Sequence, residues 1–192
     1  MSEIEESEQA AFWPTFEIPK IEIAARQLNA AVRSYFLDSD PIPTLTLAGA
    51  AYEIVKDLAG ANHKGVVLDN GEEIGQGFYD AFRRPYTTIK HADRKSAQIL
   101  DFPVKLPELY IEEAIKKYYF LTQKYSLEMA VFLIWFNAIL NGNTLDSDER
   151  LRAKAAALAQ KFSRDQPARF FEEFSRPGAL PDMELLNKLL HE

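Results

Sequence analysis

Apolar side chains recur every three or four residues through most of this chain, and this spacing is the strongest constraint on its fold. It places side chains on one face of an α-helix. One such stripe contains Ile21, Ala24, Leu28, Ala31 and Tyr35, and the next contains Leu47, Ala50, Ala51, Ile54 and Leu58. The chain shows no internal repeat and no long alternation of the kind that predicts strands. The sequence therefore predicts an all-α, single helical-bundle domain of about six to eight helices.

Prolines mark where these predicted helices end and begin. Pro41 and Pro43 end the first helix, because a proline ring blocks its continuation. Pro107 suits the first turn of a fourth helix that runs on towards residue 140. Pro167 and Pro181 are each expected to open a short helix near the end of the chain.

The stretch Tyr118–Leu140 is the most apolar part of the sequence, and its apolar residues occur all round the helix. Such a pattern indicates a central buried helix. The alternative is that one side of it packs against a second copy of the chain. A bend is expected near Tyr125 and Ser126, and the small residues at positions 48–51 predict that another helix approaches closely there.

Three parts of the chain differ in composition. Residues 1–19 form an acidic tail followed by an aromatic, proline-broken segment, which we expect to be an extended arm lying on the body. Residues 20–142 hold the main helical patterns. Residues 143–192 are expected to form a helical extension packed on the same domain, with Asp146 and Glu149 as a capping box for a helix through Lys161.

Composition excludes several classes of protein. The chain has no cysteine, which excludes a disulfide framework, a cysteine nucleophile and thiolate metal sites. Its start is acidic where a signal peptide would be basic, and no apolar run approaches the roughly 18 residues that span a bilayer. We therefore expect a cytoplasmic protein without membrane contact. Motifs for a P-loop, a dinucleotide-binding turn or an α/β-hydrolase nucleophile are also absent from the sequence.

The charge distribution singles out one segment. The chain carries a net charge of -7, but residues 81–95 hold five basic side chains and one acidic side chain. A basic segment on an acidic body can still hold a phosphate group. Within it, Arg84 and His91 lie seven residues apart, which is close to two helical turns. With Thr87 and Thr88 between them, they would form a polar strip on one helix face, although Pro85 predicts a kink or broken turn that exposes Arg84.

The segment R-P-Y-T-T-I-K-H, from Arg84 to His91, resembles the R-x4–6-H motif of the HEPN superfamily. These are small helical domains that include many metal-independent ribonucleases. The stretch AAYEIVKDLA, followed by IKHADRK, is also similar to a group of uncharacterised bacterial proteins with the same helical order. The resemblance covers residues 20–140. It departs from the active members at Pro85, where they often have a polar residue.

The resemblance implies an endoribonuclease and a role for each residue of the motif. His91 would be the general acid and base when a ribose 2′-hydroxyl attacks the adjacent phosphorus. Arg84 would stabilise the charge that grows on the phosphoryl oxygens. Thr87 and Lys90 would hold the phosphate, and Glu53 on the second helix would orient the motif. In this family two chains usually bring their motifs together, which predicts a homodimer acting on RNA.

Other interpretations of the same residues remain open. Arg84 and His91 could simply be polar residues on a solvated face, and Glu53 could pair with Lys56 or His63. The protein would then be a helical interaction module with a protein partner, or a nucleotide- or RNA-binding module without catalysis. A metal site at His91 and Asp93 is a weaker alternative, and the sequence predicts no metal and no other cofactor.

Overall fold

A computed structural model describes residues 15–38, 40–60, 76–91, 99–140, 149–176 and 179. In these residues every regular element is a helix and none is a strand, which confirms the predicted all-α fold. The seven α-helices of this part of the chain are α1 Lys20–Arg33, α2 Pro41–Ala59, α3 Gln76–Lys90, α4 Leu106–Thr122, α5 Leu127–Trp135, α6 Glu149–Lys161 and α7 Pro167–Phe174. Two π-helical segments continue α1 and α5, at Ser34–Asp38 and Phe136–Leu140.

Polar capping side chains fix the starts of two helices whose positions the sequence predicted only approximately. The Asp40 side chain accepts a hydrogen bond from the Ile42 backbone N–H at 3.0 Å and caps α2. Helix α2 therefore begins at Pro41, well before the apolar stripe that revealed it. The Ser126 hydroxyl accepts from the Met129 N–H at 3.2 Å and caps α5 in the same way. The bend expected near Ser126 is thus a complete break between α4 and α5.

Helix α2 lies at the centre of the packing. It packs most extensively against α4 and α1, and α3 packs on it as well. The run of small residues explains the last contact, because the ring of Tyr86 on α3 lies directly on Gly49 of α2. The close approach predicted from residues 48–51 is confirmed.

The most apolar stretch forms the inside of the molecule. Residues 129–135 of α5 are completely inaccessible to solvent, and Phe136 is 3% exposed. The prediction of a central buried helix is confirmed for α5. Residues 129–135 are buried within one chain, whereas Phe120 of the same apolar stretch is 46% exposed, so packing of this stretch against a second copy stays a prediction.

The C-terminal helices complete the same core. Phe36 stacks on Phe171 of α7 with ring centroids 5.0 Å apart, and its ring also lies edge-on to Trp135 at 5.8 Å. Phe170 and Phe174 of α7 are buried in the same cluster. Helix α7 therefore belongs to the hydrophobic core built by residues 20–142.

Of the predicted N-terminal arm, the structure describes residues 15–19. They are outside any helix, as expected; Phe16 is 74% exposed and Ile18 is half-buried. The acidic tail at 1–14, the capping residue Asp146 and the helix expected after Pro181 lie outside the described residues. None of the described helices is long and apolar enough to cross a bilayer.

Candidate functional site

Helix α3, which carries the Arg84–His91 segment, is held to the core through one face. Phe82 stacks on Tyr110 of α4 with ring centroids 4.3 Å apart and planes 14° apart. One turn later Tyr86 covers Gly49, and its ring lies 5.7 Å from that of Tyr110. Phe82 and Tyr86 are each no more than 6% exposed. This aromatic contact fixes which side of α3 points away from the core.

The predicted motif occupies the opposite side. At about 100° of rotation per residue, Arg84, Thr87 and His91 lie roughly opposite the buried Phe82–Tyr86 side. The Arg84 side chain is exposed, and those of Thr87 and His91 are half-buried. The His91 backbone N–H donates to the Thr87 carbonyl at 3.1 Å, so helical hydrogen bonding extends to the end of the motif. The structure therefore brings these residues onto one outward face.

Pro85 does not break this helix, so of the predicted kink or broken turn the broken turn is wrong. Helix α3 runs without a gap from Gln76 to Lys90 with the proline inside it. The Pro85 ring is buried, whereas the neighbouring Arg84 is exposed, as expected. Burial of the ring offsets part of the cost of a proline within a helix.

Arg84 and its neighbour Arg83 differ in their partners. The Arg83 guanidinium Nη2 lies 3.4 Å from Glu53 Oε1 on α2. Arg84 forms no ion pair or hydrogen bond with any residue in the described part of the chain. A guanidinium with all its donors available is the arrangement that phosphate recognition needs.

Glu53 is therefore placed differently from the prediction. It reaches α3, but through Arg83 and not through Arg84 or His91. Lys56, its alternative partner on α2, makes no ion pair with it, and His63 lies outside the described residues. Glu53 links α2 to α3 beside the motif. Burial raises the pKa of Tyr86, and the Glu53 charge raises it further.

Lys90 lies on the flank of the motif. It is about 100° round the helix from His91, on the side of Tyr86. Its ammonium Nζ is 6.0 Å from the centre of the Tyr86 ring, a weak cation–π distance. Lys90 is exposed and its long side chain can still extend towards an anion beside Thr87.

The described residues contain no group of side chains that could bind a metal ion. No three His, Asp or Glu side chains of these residues lie close enough to hold one ion. Asp93, the proposed companion of His91, lies outside the described residues, as do Arg94 and Lys95 of the basic segment.

A second feature, away from the predicted motif, is a cavity of about 280 Å³ that the sequence did not reveal. Its described lining consists of Tyr35, Asp40, Thr44 and Val104, together with three prolines at helix starts. We call it the Tyr35 cavity. No α3 residue is among its described lining, so the cavity and the motif are separate.

Tyr35, which lines the cavity, belongs to a part-buried hydrogen-bonded chain. The Tyr35 hydroxyl donates to Glu108 Oε1 at 3.1 Å and accepts from the Trp135 indole Nε1–H at 3.1 Å. Burial raises the pKa of Tyr35, and the neighbouring Glu108 carboxylate raises it further. Burial also raises the pKa of Glu108, although the Tyr35 hydrogen bond and the charges of Lys105 and Arg164 oppose this.

Comparisons with protein-family models, with curated proteins and with solved structures give no match for this chain. The resemblance to HEPN domains therefore depends on the Arg84–His91 segment and its helical context, and function has to be argued from the site itself.

Proposed function

We propose that the outward face of α3 binds RNA and cleaves its phosphodiester bonds without a metal ion. The observation that carries this proposal is the exposed Arg84, which has no partner among the described residues, on the same helix face as His91. The rise along the helix between Arg84 and His91 is about 10 Å. Arg84 is long and His91 leans back towards the helix N-terminus, so both can approach one phosphate group. The resemblance to the HEPN motif supports the same assignment.

In the proposed reaction His91 accepts the proton of a ribose 2′-hydroxyl while the 2′ oxygen attacks the adjacent phosphorus. The bond to the 5′ oxygen breaks, and that oxygen leaves with a proton delivered by an imidazolium. Arg84 donates to the phosphoryl oxygens, whose negative charge increases in the transition state. The products are an RNA ending in a 2′,3′-cyclic phosphate and an RNA with a free 5′-hydroxyl.

A homodimer is part of this proposal, because the resemblance implies that two motifs meet. Residues 129–135 of α5 offer no surface for a second copy, whereas Arg84 on the outward face of α3 is exposed. Two facing copies of His91 would supply one imidazole to remove the proton and another to deliver it. Two copies of Arg84 would increase the positive field at the phosphate.

A second candidate is a module that binds RNA or another partner without cleaving it. The observation that favours it is that Arg84 is exposed and His91 is only half-buried on the outward side of α3 in the single chain. An open face does not exclude water or align a reacting group by itself. Catalysis would then require the second copy, and binding would not.

The experiment that tests the proposal compares RNA cleavage by the wild-type protein, His91→Ala and Arg84→Ala in the presence of EDTA. Loss of His91 should slow cleavage about 10²–10⁴-fold, because proton transfer is removed. Loss of Arg84 should slow it about 10²–10³-fold. Far-UV circular dichroism should show that both variants keep their helices, since Arg84 is exposed and His91 is half-buried at a helix end.

Two matched controls separate the site from general basicity. Arg152→Ala removes another exposed arginine, on α6, and His191→Ala removes a histidine outside the described residues. Both should cleave at the wild-type rate. Equal, trace cleavage by every variant would contradict the enzyme and leave the binding module. Cleavage abolished by EDTA would instead indicate a metal at His91 and Asp93.

A further inference from the structure

The Tyr35 cavity lies where several parts of the chain converge. Tyr35 belongs to the π-helical end of α1, Asp40 and Thr44 to the start of α2, and Val104 to the segment before α4. Its volume of about 280 Å³ is close to the lower end of small-molecule sites, about 300–1,000 Å³. It is large enough for a compact organic molecule.

The walls are mainly apolar. Pro41, Pro107 and Pro167 line the cavity, and each lies in the first two positions of its helix. Val104 lines it as well and is 72% exposed, so it stands at the open side. Because prolines carry no backbone N–H, these three helix starts contribute apolar rings to the cavity without adding donors.

The polar side chains of the described lining have already used their hydrogen-bond donors. The Tyr35 hydroxyl hydrogen points to Glu108, 3.1 Å away. The Thr44 hydroxyl donates to the Asp40 carbonyl at 2.7 Å and also lies 3.0 Å from the Ser34 hydroxyl. What the lining still offers a ligand is acceptor oxygens.

Asp40 provides the only formal charge among the described lining residues. One of its carboxylate oxygens accepts from the Ile42 N–H, which leaves the second oxygen for another donor. Two basic side chains, Lys105 and Arg164, act by their charge on Glu108, the hydrogen-bond partner of Tyr35. Arg164 donates to the carbonyls of Ile139 and Leu140, and Lys105 lies close enough to Glu108 to lower the pKa of that carboxyl.

We propose that the Tyr35 cavity binds a small organic amine, with the protonated nitrogen against the Asp40 carboxylate and an apolar body against the prolines. The amine supplies the donors that the lining lacks, and it neutralises the charge that the lining carries. Among the side chains of the described lining, an anionic molecule of the same shape would meet acceptor oxygens and the Asp40 charge. This site is independent of the RNA-cleaving face proposed for α3.

The test uses three probes with the same ring: 2-phenylethylamine, 2-phenylethanol and 3-phenylpropionate, titrated at pH 7 into the full-length protein. The readout is the indole N–H resonance of Trp135, which donates to the cavity-lining Tyr35. Trp13→Phe identifies that resonance, because the chain has only two tryptophans. The amine should give a saturable shift at millimolar concentration or below, with at least about tenfold weaker binding of the alcohol.

Asp40→Asn tests the charge without removing the cap, because asparagine caps helices as well as aspartate. It should weaken the amine about tenfold and leave the alcohol unchanged, whereas Asp57→Asn, an exposed control on the same helix, should change neither. Val104→Lys, at an exposed position, should also weaken the amine by offering the carboxylate a competing ammonium. An unmoved Trp135 resonance, equal binding of the carboxylate probe, or unchanged amine binding by Asp40→Asn would overturn the proposal.

Discussion

Replacing Gly49 by alanine tests how α3 is held in place. A Cβ atom at this position would have three ring carbons of Tyr86 within 2.8 Å. Carbon atoms in contact normally lie about 3.5–4.0 Å apart, so the ring would have to retreat by about 1 Å. Tyr86 is 6% exposed and lies against Tyr110, so its ring has little free space.

Two opposing effects decide the outcome of Gly49→Ala. Alanine favours the helical state by about 1 kcal/mol relative to glycine. Forcing an extra carbon into a packed contact costs about 1–3 kcal/mol. We expect the free energy of unfolding to fall by about 0–2 kcal/mol in the wild-type background. With Tyr86→Ala already present the obstacle is gone, and the same substitution should stabilise by about 0.5–1 kcal/mol.

Urea unfolding followed by circular dichroism measures both changes in a double-mutant cycle. Ala50→Gly, at the neighbouring helical position, reports helix propensity without the Tyr86 contact. A stabilisation of about 1 kcal/mol by Gly49→Ala in the wild-type background would refute the reasoning. Equal effects in the two backgrounds would also refute it, because they would show that the ring and the new methyl group do not interact.

Two further predictions concern stability. Ser126→Ala removes the cap on the Met129 N–H and should lower the free energy of unfolding by about 1 kcal/mol, with Ser126→Thr losing less; no difference between alanine and threonine in urea unfolding would contradict this. Glu108→Gln keeps an acceptor for Tyr35 but removes a carboxyl whose pKa burial raises above its ordinary value of 4.5. The folded state holds that proton more tightly than the unfolded state, so the wild type loses stability as pH rises from about 4.5 through the folded pKa. Glu108→Gln should lack this loss and gain stability relative to the wild type across that range, and parallel stability curves from pH 4 to 7 would count against it.

The spacing of apolar residues predicted much of the fold, because the side of a helix on which a residue lies follows from local helix geometry alone. Apolar residues all round α5 indicated burial from every side, and residues 129–135 are inaccessible to solvent. The small residues around Gly49 indicated a close approach, although they could not identify Tyr86 as the partner. Pro85 shows the opposite case. The low helix propensity of proline predicted a kink or broken turn, whereas α3 continues through residue 85 with the proline ring buried.

The sites depend on contacts between distant parts of the chain, and these were harder to predict. Helical spacing was enough to place Arg84 and His91 on one face. Glu53 required knowledge of which neighbouring arginine it meets, and the structure selects Arg83. Tyr35, in the lining of the cavity, is hydrogen-bonded to Glu108 and Trp135, which lie 73 and 100 residues away in sequence. No local sequence pattern predicts such pairs.

The central claim is that the α3 face promotes attack by a ribose 2′-hydroxyl. The most direct measurement compares one RNA oligonucleotide with a copy that carries a single 2′-deoxyribose at the linkage that is cut. Cleavage at that linkage should disappear from the substituted copy, and products of the unsubstituted RNA should end in a 2′,3′-cyclic phosphate. His91→Ala should form those products about 10²–10⁴-fold more slowly. Cleavage of the deoxy linkage at the same rate as the ribose linkage would contradict the claim.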